Sequence, residues 1–493
     1  MMQGKKTSKK MPFAPVRTKH RESEKHMTDR QKAAYKRQKE EYRQAKEQGT
    51  VVKGPVSKSR LVKLNPGEVR ITGLVVNELT RALSVILRLD GPADQLMKAF
   101  FKSNPKLGAR DRALLAESIF YALRHYASIS YRMRPIPPSR APKVAALLTL
   151  LLQYGRNCVS DSVLGSDKGP VENMLGVPLA KAAPEVRAEM PFWLFDRIDK
   201  QYGKEEAGKI FTCSQQGAPL DLRVNLLKCR REDVLCELEE HGVKGEATPF
   251  SPEGVRLIDK PGLIRWPMYQ EGRIDVQDEG SQLIARLLGA KRSEMVCDFC
   301  AGAGGKTLAI GAMMRSTGRL YAFDVNEKRL AGLTPRMRRA GLSNVHPMAI
   351  RNEKDIRIKR LRGKFDRVLI DAPCTGTGTL RRNPDLRWRL NLKELERINE
   401  LQKSILEEAA KLVKSGGRLV YATCSLLNEE NAAVVEAFLS EHPEFKRLNA
   451  TDVLEKQGIH LPDFQKERFG DYFVTLPHLH GTDAFFGAVL EKD

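Results

Sequence analysis

From about Val296 to the C-terminus, short apolar runs alternate with stretches of helical period, and no other feature limits the fold as strongly. The runs read MVCDF, RLYAFDV, NVHPMAI, DRVLI, GRLVYA and FFGAVL. Each is of strand length, and most are separated from the next by a helical pattern. Apolar strands joined through helices build a mostly parallel sheet covered on both faces. The expected fold class is therefore α/β, a Rossmann-like doubly wound sheet. Such a sheet gathers the residues just beyond its strands along one crevice, and chemistry is expected there.

The first of these strands ends at Phe299, and CAGAGGKT, residues 300–307, opens a helix. Gly302, Gly304 and Gly305 let the backbone turn tightly and approach a ligand. The next strand ends in Phe323-Asp324-Val325, which places an acid where ribose hydroxyls donate in doubly wound folds. A dinucleotide fingerprint G-x-G-x-x-G fails at Thr307, and GxxxxGK[ST] fails at Cys300. Asp298, just ahead of the loop, suits a cationic cofactor better than a pyrophosphate. S-adenosyl-L-methionine carries a sulfonium and a ribose and needs no phosphate cradle. Loop, Asp298 and Asp324 together point to it.

Two cysteines stand beyond strand ends. Asp371-Ala372-Pro373-Cys374 leaves the fourth strand, and Thr423-Cys424-Ser425 leaves the fifth, within YATCSLLNEEN. A cysteine inside a strand reads as a small hydrophobe, whereas one past its end, among hydroxyl residues, is placed to react. Methyl transfer to oxygen or nitrogen needs no thiol, because those atoms carry lone pairs. Carbon C5 of a pyrimidine becomes nucleophilic only when something adds at C6, and a thiolate is suited to that addition. Asp371 is placed to bond N3 of the ring and stabilise the charge that develops. A second cysteine would then help expel the first.

The net charge of +23 calls for a polyanionic partner. Residues 1–60 hold 18 Lys/Arg against 6 Asp/Glu, so the first 65 residues read as a basic, disordered tail. Residues 66–212 read as all-helical: in GARDRALLAESIFYALRHYASISY, Leu115, Ile119, Leu123 and Tyr126 share one face, with Arg110, Arg112, Arg124 and His125 between them. Residues 213–275 read as a small α+β unit, with LDLRVN and VRLID as strands and REDVLCELEEHGV as a helix. Residues 276–493 hold the α/β region. Cys297 and Cys300 form a lone CxxC with no second pair, so no metal is expected. Eight scattered cysteines, no apolar run of membrane-span length and no secretory signal point to the cytoplasm and to no membrane partner.

Together CAGAGGKT, FDVN, DAPCTGTGTLRRNPDLRW and YATCSLLNEEN resemble the RNA cytosine-C5 methyltransferases typified by the bacterial RsmB enzymes and the eukaryotic nucleolar methyltransferases. The resemblance runs from about residue 70 to the end. It implies a class I S-adenosylmethionine-dependent domain in which Cys424 is the nucleophile, Cys374 assists release, and Lys306 reaches into the crevice. It implies a cofactor site made of Cys300, Ala301, Gly302, Ala303, Gly304, Gly305, Lys306, Asp324 and Asp371. DNA cytosine-C5 methyltransferases use the Pro-Cys motif for the nucleophile, so TCS favours the RNA group. The helical region resembles the NusB-like RNA-binding domain of RsmB enzymes, the α+β unit an RRM-like subdomain, VQDEGSQL the segment that leads into the catalytic part, and LPHLHGTDAFFGAVL its closing hairpin. The implied partner is RNA, small-subunit ribosomal RNA foremost, with transfer RNA or a non-catalytic assembly role as alternatives. Two positions depart from the pattern. Ala303 replaces a proline, and Ile350-Arg351-Asn352 replaces the acid that contacts the adenine amino group.

Overall fold

The computed structural model describes residues 69–259 and 261–493; the basic tail expected over residues 1–65 lies outside them. The first helices, α1 (Gly73–Ile86), α2 (Ala109–Arg124) and α3 (Pro142–Tyr154), pack on one another. The face read from the sequence is the buried one, with Leu115, Ile119 and Leu123 set against Leu79, Leu83 and Leu147. Two further helices, α4 (Phe192–Tyr202) and α5 (Lys204–Ser214), lead into β1 (Leu220–Val224). Helix α6 (Arg231–Glu240) then precedes β2 (Gly245–Ala247), β3 (Gly254–Leu257) and β4 (Ile274–Val276). These strands form an antiparallel sheet in the order β2-β3-β1-β4.

After α7 (Glu279–Leu288) comes the larger sheet: β5 (Met295–Asp298), α8 (Gly305–Met313), β6 (Arg319–Asp324), α9 (Leu333–Ala340), β7 (Val345–Ala349) and β8 (Phe365–Asp371). It continues through α10 (Leu392–Ala410), β9 (Val413–Thr423), α11 (Ala432–Glu441), β10 (Phe445–Leu448), β11 (Phe473–Thr475) and β12 (Phe485–Lys492). The strand order is β10-β12-β9-β8-β5-β6-β7, and β11 also pairs with β12. Strands β5 to β9 run parallel, while β12 is antiparallel to β9 and carries β10 and β11 on its far side. Alternate residues face opposite layers, as the pleat requires. Val296, Leu369 and Val420 pack with α7 and α8, whereas Cys297, Val368, Ile370 and Tyr421 pack with α10 and α11. The chain winds outward from β5 through β6 and β7, then returns to place β8 on the other side of β5. That reversal opens a crevice beyond the carboxyl ends of β5 and β8. No helix among the described residues is long and apolar enough to cross a membrane.

The expected closing hairpin has a short helix, Pro477–His480, between β11 and β12. Inside it His480 is buried. Its Nδ1 accepts the N–H of Leu476 at 3.0 Å, and Nε2 stands 3.2 Å from Oε1 of Gln465, which assigns a neutral ring protonated at Nε2. Burial lowers the pKa of this histidine to about 4. The unfolded chain, near 6.5, then binds the proton that the folded chain refuses, so stability is full above that value and falls as pH drops toward 4. At pH 5 the loss is about 2 kcal/mol. Urea midpoints at pH 7 and pH 5 for the wild type and for His480→Gln measure it, because the difference between the two proteins cancels the other titrating groups. An equal pH dependence in both would refute the assignment.

Candidate active site

The loop from Cys300 to Lys306 leaves β5 under Phe323, whose carbonyl accepts the N–H of Ala301 at 2.8 Å. Gly302 and Gly304 have φ of +56° and +84°, a region that L side chains avoid. A Cβ at Gly302 would stand 2.6 Å from the Arg329 guanidinium, and one at Gly304 2.2 Å from Leu333. The N–H of Gly302 donates to Oδ2 of Asp324 at 2.7 Å, and that of Asn326 donates to Oδ1 at 2.7 Å. The loop and the acid at the end of β6 are thus one unit. Ala303, where the family pattern has proline, is held instead through its carbonyl by Arg336, whose other nitrogen bonds Asp275 of β4 at 2.6 Å. Side-chain-free backbone beside a carboxylate fits a ligand that carries ribose hydroxyls.

Asp298 differs from its expected role. It is buried under the loop, Thr307 donates to its Oδ2 at 2.7 Å, and its Oδ1 has no partner among the described residues. Burial, with Thr307 acting against it, raises its pKa to about 7. A carboxyl that is half neutral at pH 7 is a weak counter-charge for a cation. It ties the end of β5 to the first turn of α8. The exposed carboxylate of the crevice is Asp371, whose side chain is 33% accessible.

Asp371 ends β8, and its Oδ2 accepts from Nζ of Lys306 at 2.8 Å. The Lys306 ammonium also lies 5.4 Å from the centre of the Phe485 ring. Burial lowers the pKa of this lysine, but Asp371 and the nearby Cys424 outweigh burial, and the net shift is upward. Lys306 therefore stays charged. The sulfurs of Cys374 and Cys424 are 3.4 Å apart, and both residues are half-buried. The contact with Cys424, followed by burial, pushes the Cys374 thiol well above its usual value, so Cys374 keeps its proton. The loop after Cys374 folds over the partner loop: the N–H of Gly378 donates to the Cys424 carbonyl at 2.9 Å. A Cβ at Gly378 would stand 2.3 Å from the Ala484 carbonyl, so this approach needs glycine. The four side chains expected to be catalytic thus meet as two touching pairs. Cys300 and Ala301 contribute backbone; Cys300 itself is driven up by burial and stays a thiol.

At the departure from the adenine pattern, Ile350 is buried and the Arg351 side chain is exposed. Asn352 spends its Oδ1 on the N–H of Lys354 at 3.0 Å, Glu353 accepts the Ser404 hydroxyl at 2.7 Å, and Asp355 is held by Arg357 and by the N–H of Arg351. Sequence reading passed over two buried charges. Glu430, in NEEN, reads as a polar helix start, yet it lies fully buried beneath both cysteine loops. Arg387, in NPDLRW, reads as surface charge, yet it is fully buried against the end of α5 and Glu189, three residues ahead of α4. For Arg387 the apolar neighbours Leu386 and Trp388 were the available signal, whereas Glu430, between Glu429 and Asn431, offered none.

The chain is similar to known proteins. A profile of 16S rRNA methyltransferase RsmB/F matches residues 285–491, and a profile of the ferredoxin-like domain of RsmF/B-like methyltransferases matches residues 190–263. The second profile takes in α4 and α5 ahead of β1. The chain is 31% identical over 448 residues to the probable ribosomal RNA small subunit methyltransferase B of Bacillus subtilis (strain 168), which spans 83% of this chain and 98% of that protein. Among solved structures it is similar to PH0851, at 27% identity and a TM-score of 0.72, over 86% of this chain and 100% of that one. It is also similar to a methyltransferase homolog protein from Pyrococcus horikoshii, at 30% identity and a TM-score of 0.53, over 63% of this chain and 97% of that one.

Proposed function

The chain belongs to the RsmB/F family of 16S rRNA methyltransferases, and from that premise we propose that it methylates C5 of a cytosine in small-subunit ribosomal RNA through a covalent Cys424 adduct. The observation that carries this reading is the sulfur pair at 3.4 Å beside the Lys306–Asp371 pair. Methylation of oxygen or nitrogen would have no use for two adjacent thiols.

S-adenosyl-L-methionine is the cofactor, and when bound it supplies the methyl group as an electrophile. The residues that fit it are the backbone from Cys300 to Gly305, with Asp324 for the ribose hydroxyls and Lys306 and Asp371 at the mouth of the crevice. Cys424, as thiolate, adds to C6 of the cytosine, and the electron pair of the C5=C6 bond moves toward C5. Asp371, in its acid form, donates a hydrogen bond to N3 as negative charge builds on the ring, and Lys306 holds its other oxygen in place. After the methyl group is on C5, a base takes the C5 proton, the C5=C6 bond re-forms, and the Cys424–C6 bond breaks. The Cys374 thiol donates a hydrogen bond to the departing sulfur.

The target base must leave its stack to reach these groups, so a loop or an unassembled RNA is the substrate expected. In this reading residues 66–212 form a NusB-like domain that, with the basic tail, holds phosphates and selects the RNA. The α+β unit over residues 213–275 is an RRM-like spacer, and the reaction takes place in the cytoplasm. Protein-free small-subunit rRNA, assembled small subunits and bulk transfer RNA, each incubated with methyl-labelled cofactor, provide the test. Labelling is expected in the free rRNA, at one cytosine that then resists bisulfite conversion. Label in a base nitrogen or ribose oxygen would overturn the chemistry, and label in transfer RNA alone would overturn the substrate.

A further inference from the structure

The loops that carry the two cysteines come from different strands, 50 residues apart, yet their sulfurs touch. Glu430 joins them from below. It closes the short 3-10 turn Asn428–Glu430 and is fully buried. Its Oε1 accepts the N–H of Thr375 at 2.8 Å and the side-chain amide of Gln402 at 3.1 Å. Its Oε2 accepts the hydroxyls of Thr375, at 2.5 Å, and of Ser425. Gln402, from α10, also donates to the carbonyl of Pro373 at 2.9 Å. One carboxylate and its amide neighbour therefore hold the residue before Cys374, the residue after it, and the residue after Cys424. The backbone of Glu430 is fixed in turn, because its carbonyl accepts the Tyr421 hydroxyl from β9 at 2.7 Å.

No cation balances this carboxylate among the described residues; four donors do. Burial raises its pKa, and the hydrogen bonds from Ser425, Thr375 and Gln402 oppose that rise. Both Glu430 oxygens are satisfied, while Oε1 of Gln402 in the same network has no partner among the described residues. Glu430 cannot touch the base, since it lies under the loops. What it sets is the spacing of the sulfurs. Addition at C6 needs only Cys424, whereas release needs Cys374 beside it at the moment the Cys424–C6 bond breaks.

Resting on the covalent reading above, we propose that Glu430 is a positioning residue that keeps Cys374 in register with Cys424, so that its loss impairs release of the methylated RNA more than binding or addition. A misplacement of about 1 Å costs on the order of 100-fold in such steps. Glu430→Ala is expected to lower kcat by about 100-fold while KM for RNA and for cofactor stays within about 3-fold. The same variant, with Cys374 intact, is expected to retain RNA as a covalent adduct that disappears when Cys424 is also changed to Ala. Glu430→Gln keeps the size and one acceptor for the Thr375 N–H, so it should recover about tenfold of the lost turnover and remain about tenfold below the wild type.

A merely structural role would lower the melting temperature without an adduct and would raise both KM values, and that pattern overturns the proposal. Wild-type turnover in Glu430→Gln together with no adduct in Glu430→Ala also overturns it, and if Glu430→Ala does not fold, wild-type turnover in Glu430→Gln alone does so. The underlying covalent reading fails separately, if Cys374→Ala itself traps no RNA.

Discussion

Cys374→Ala protein purified from cells is expected to carry RNA through a covalent bond, and Cys424→Ala in the same chain is expected to remove it. The asymmetry follows from the roles proposed for two sulfurs that lie 3.4 Å apart. Its contact with Cys424 and burial hold Cys374 as a thiol. A sulfur that keeps its proton is suited to donate to a leaving thiolate, and addition then falls to Cys424. Deleting the donor leaves addition possible and release slow, so the adduct accumulates. On a denaturing gel it should migrate above the free protein and collapse with ribonuclease. Deleting the nucleophile alone should lower methylation by on the order of 10⁴-fold or more, with cofactor binding intact. If the adduct instead appears in Cys424→Ala and depends on Cys374, the two roles are exchanged, and the Pro-Cys motif carries the nucleophile.

Most of this site was legible because its signals are local. A glycine loop after an apolar run, an acid at the end of the next, and cysteines past two more can be read without knowing which strands are neighbours. The strand order was not legible. Nothing in GRLVYA or FFGAVL says that β12 runs antiparallel beside β9, or that β10 and β11 share its far edge. The 3.4 Å between the sulfurs depends on that order, and so does the approach of Phe485 to Lys306.

Asp298 shows where local reading misleads. An acid next to a glycine loop reads as facing the ligand, but the pleat of β5 turns it inward onto Thr307, and burial takes away half its charge at pH 7. Glu430 and Arg387 were missed for the opposite reason. Each has a partner far off in the chain, 55 residues away for Glu430 and 198 for Arg387, so the sequence around them shows charge without showing what holds it.

Arg387 is expected to be the largest single stabilising side chain between the helical part and the catalytic sheet. It is fully buried, and its guanidinium donates to the carbonyls of Glu189 at 2.9 Å, Ser214 at 3.0 Å and Leu380 at 3.4 Å. Burial lowers its pKa to about 10, so the group remains charged at neutral pH. Trp388 next to it donates to the Leu123 carbonyl of α2 at 2.8 Å and packs on Tyr126. Arg387→Met keeps the length but leaves those carbonyls buried without donors, at about 1–3 kcal/mol for each that finds no water. Removing the buried charge offsets part of this, and a net loss of about 3 kcal/mol in the urea midpoint is expected. Arg387→Lys separates charge from geometry. One ammonium cannot serve carbonyls from three chain segments as the planar fork does, so it should lose nearly as much; a lysine variant as stable as the wild type would refute the argument. The consequence reaches the chemistry, because Leu380 follows the turn in which Gly378 supports the Cys424 carbonyl. Loosening the clamp should therefore lower turnover at temperatures where the protein is still folded, through the same spacing of the two sulfurs.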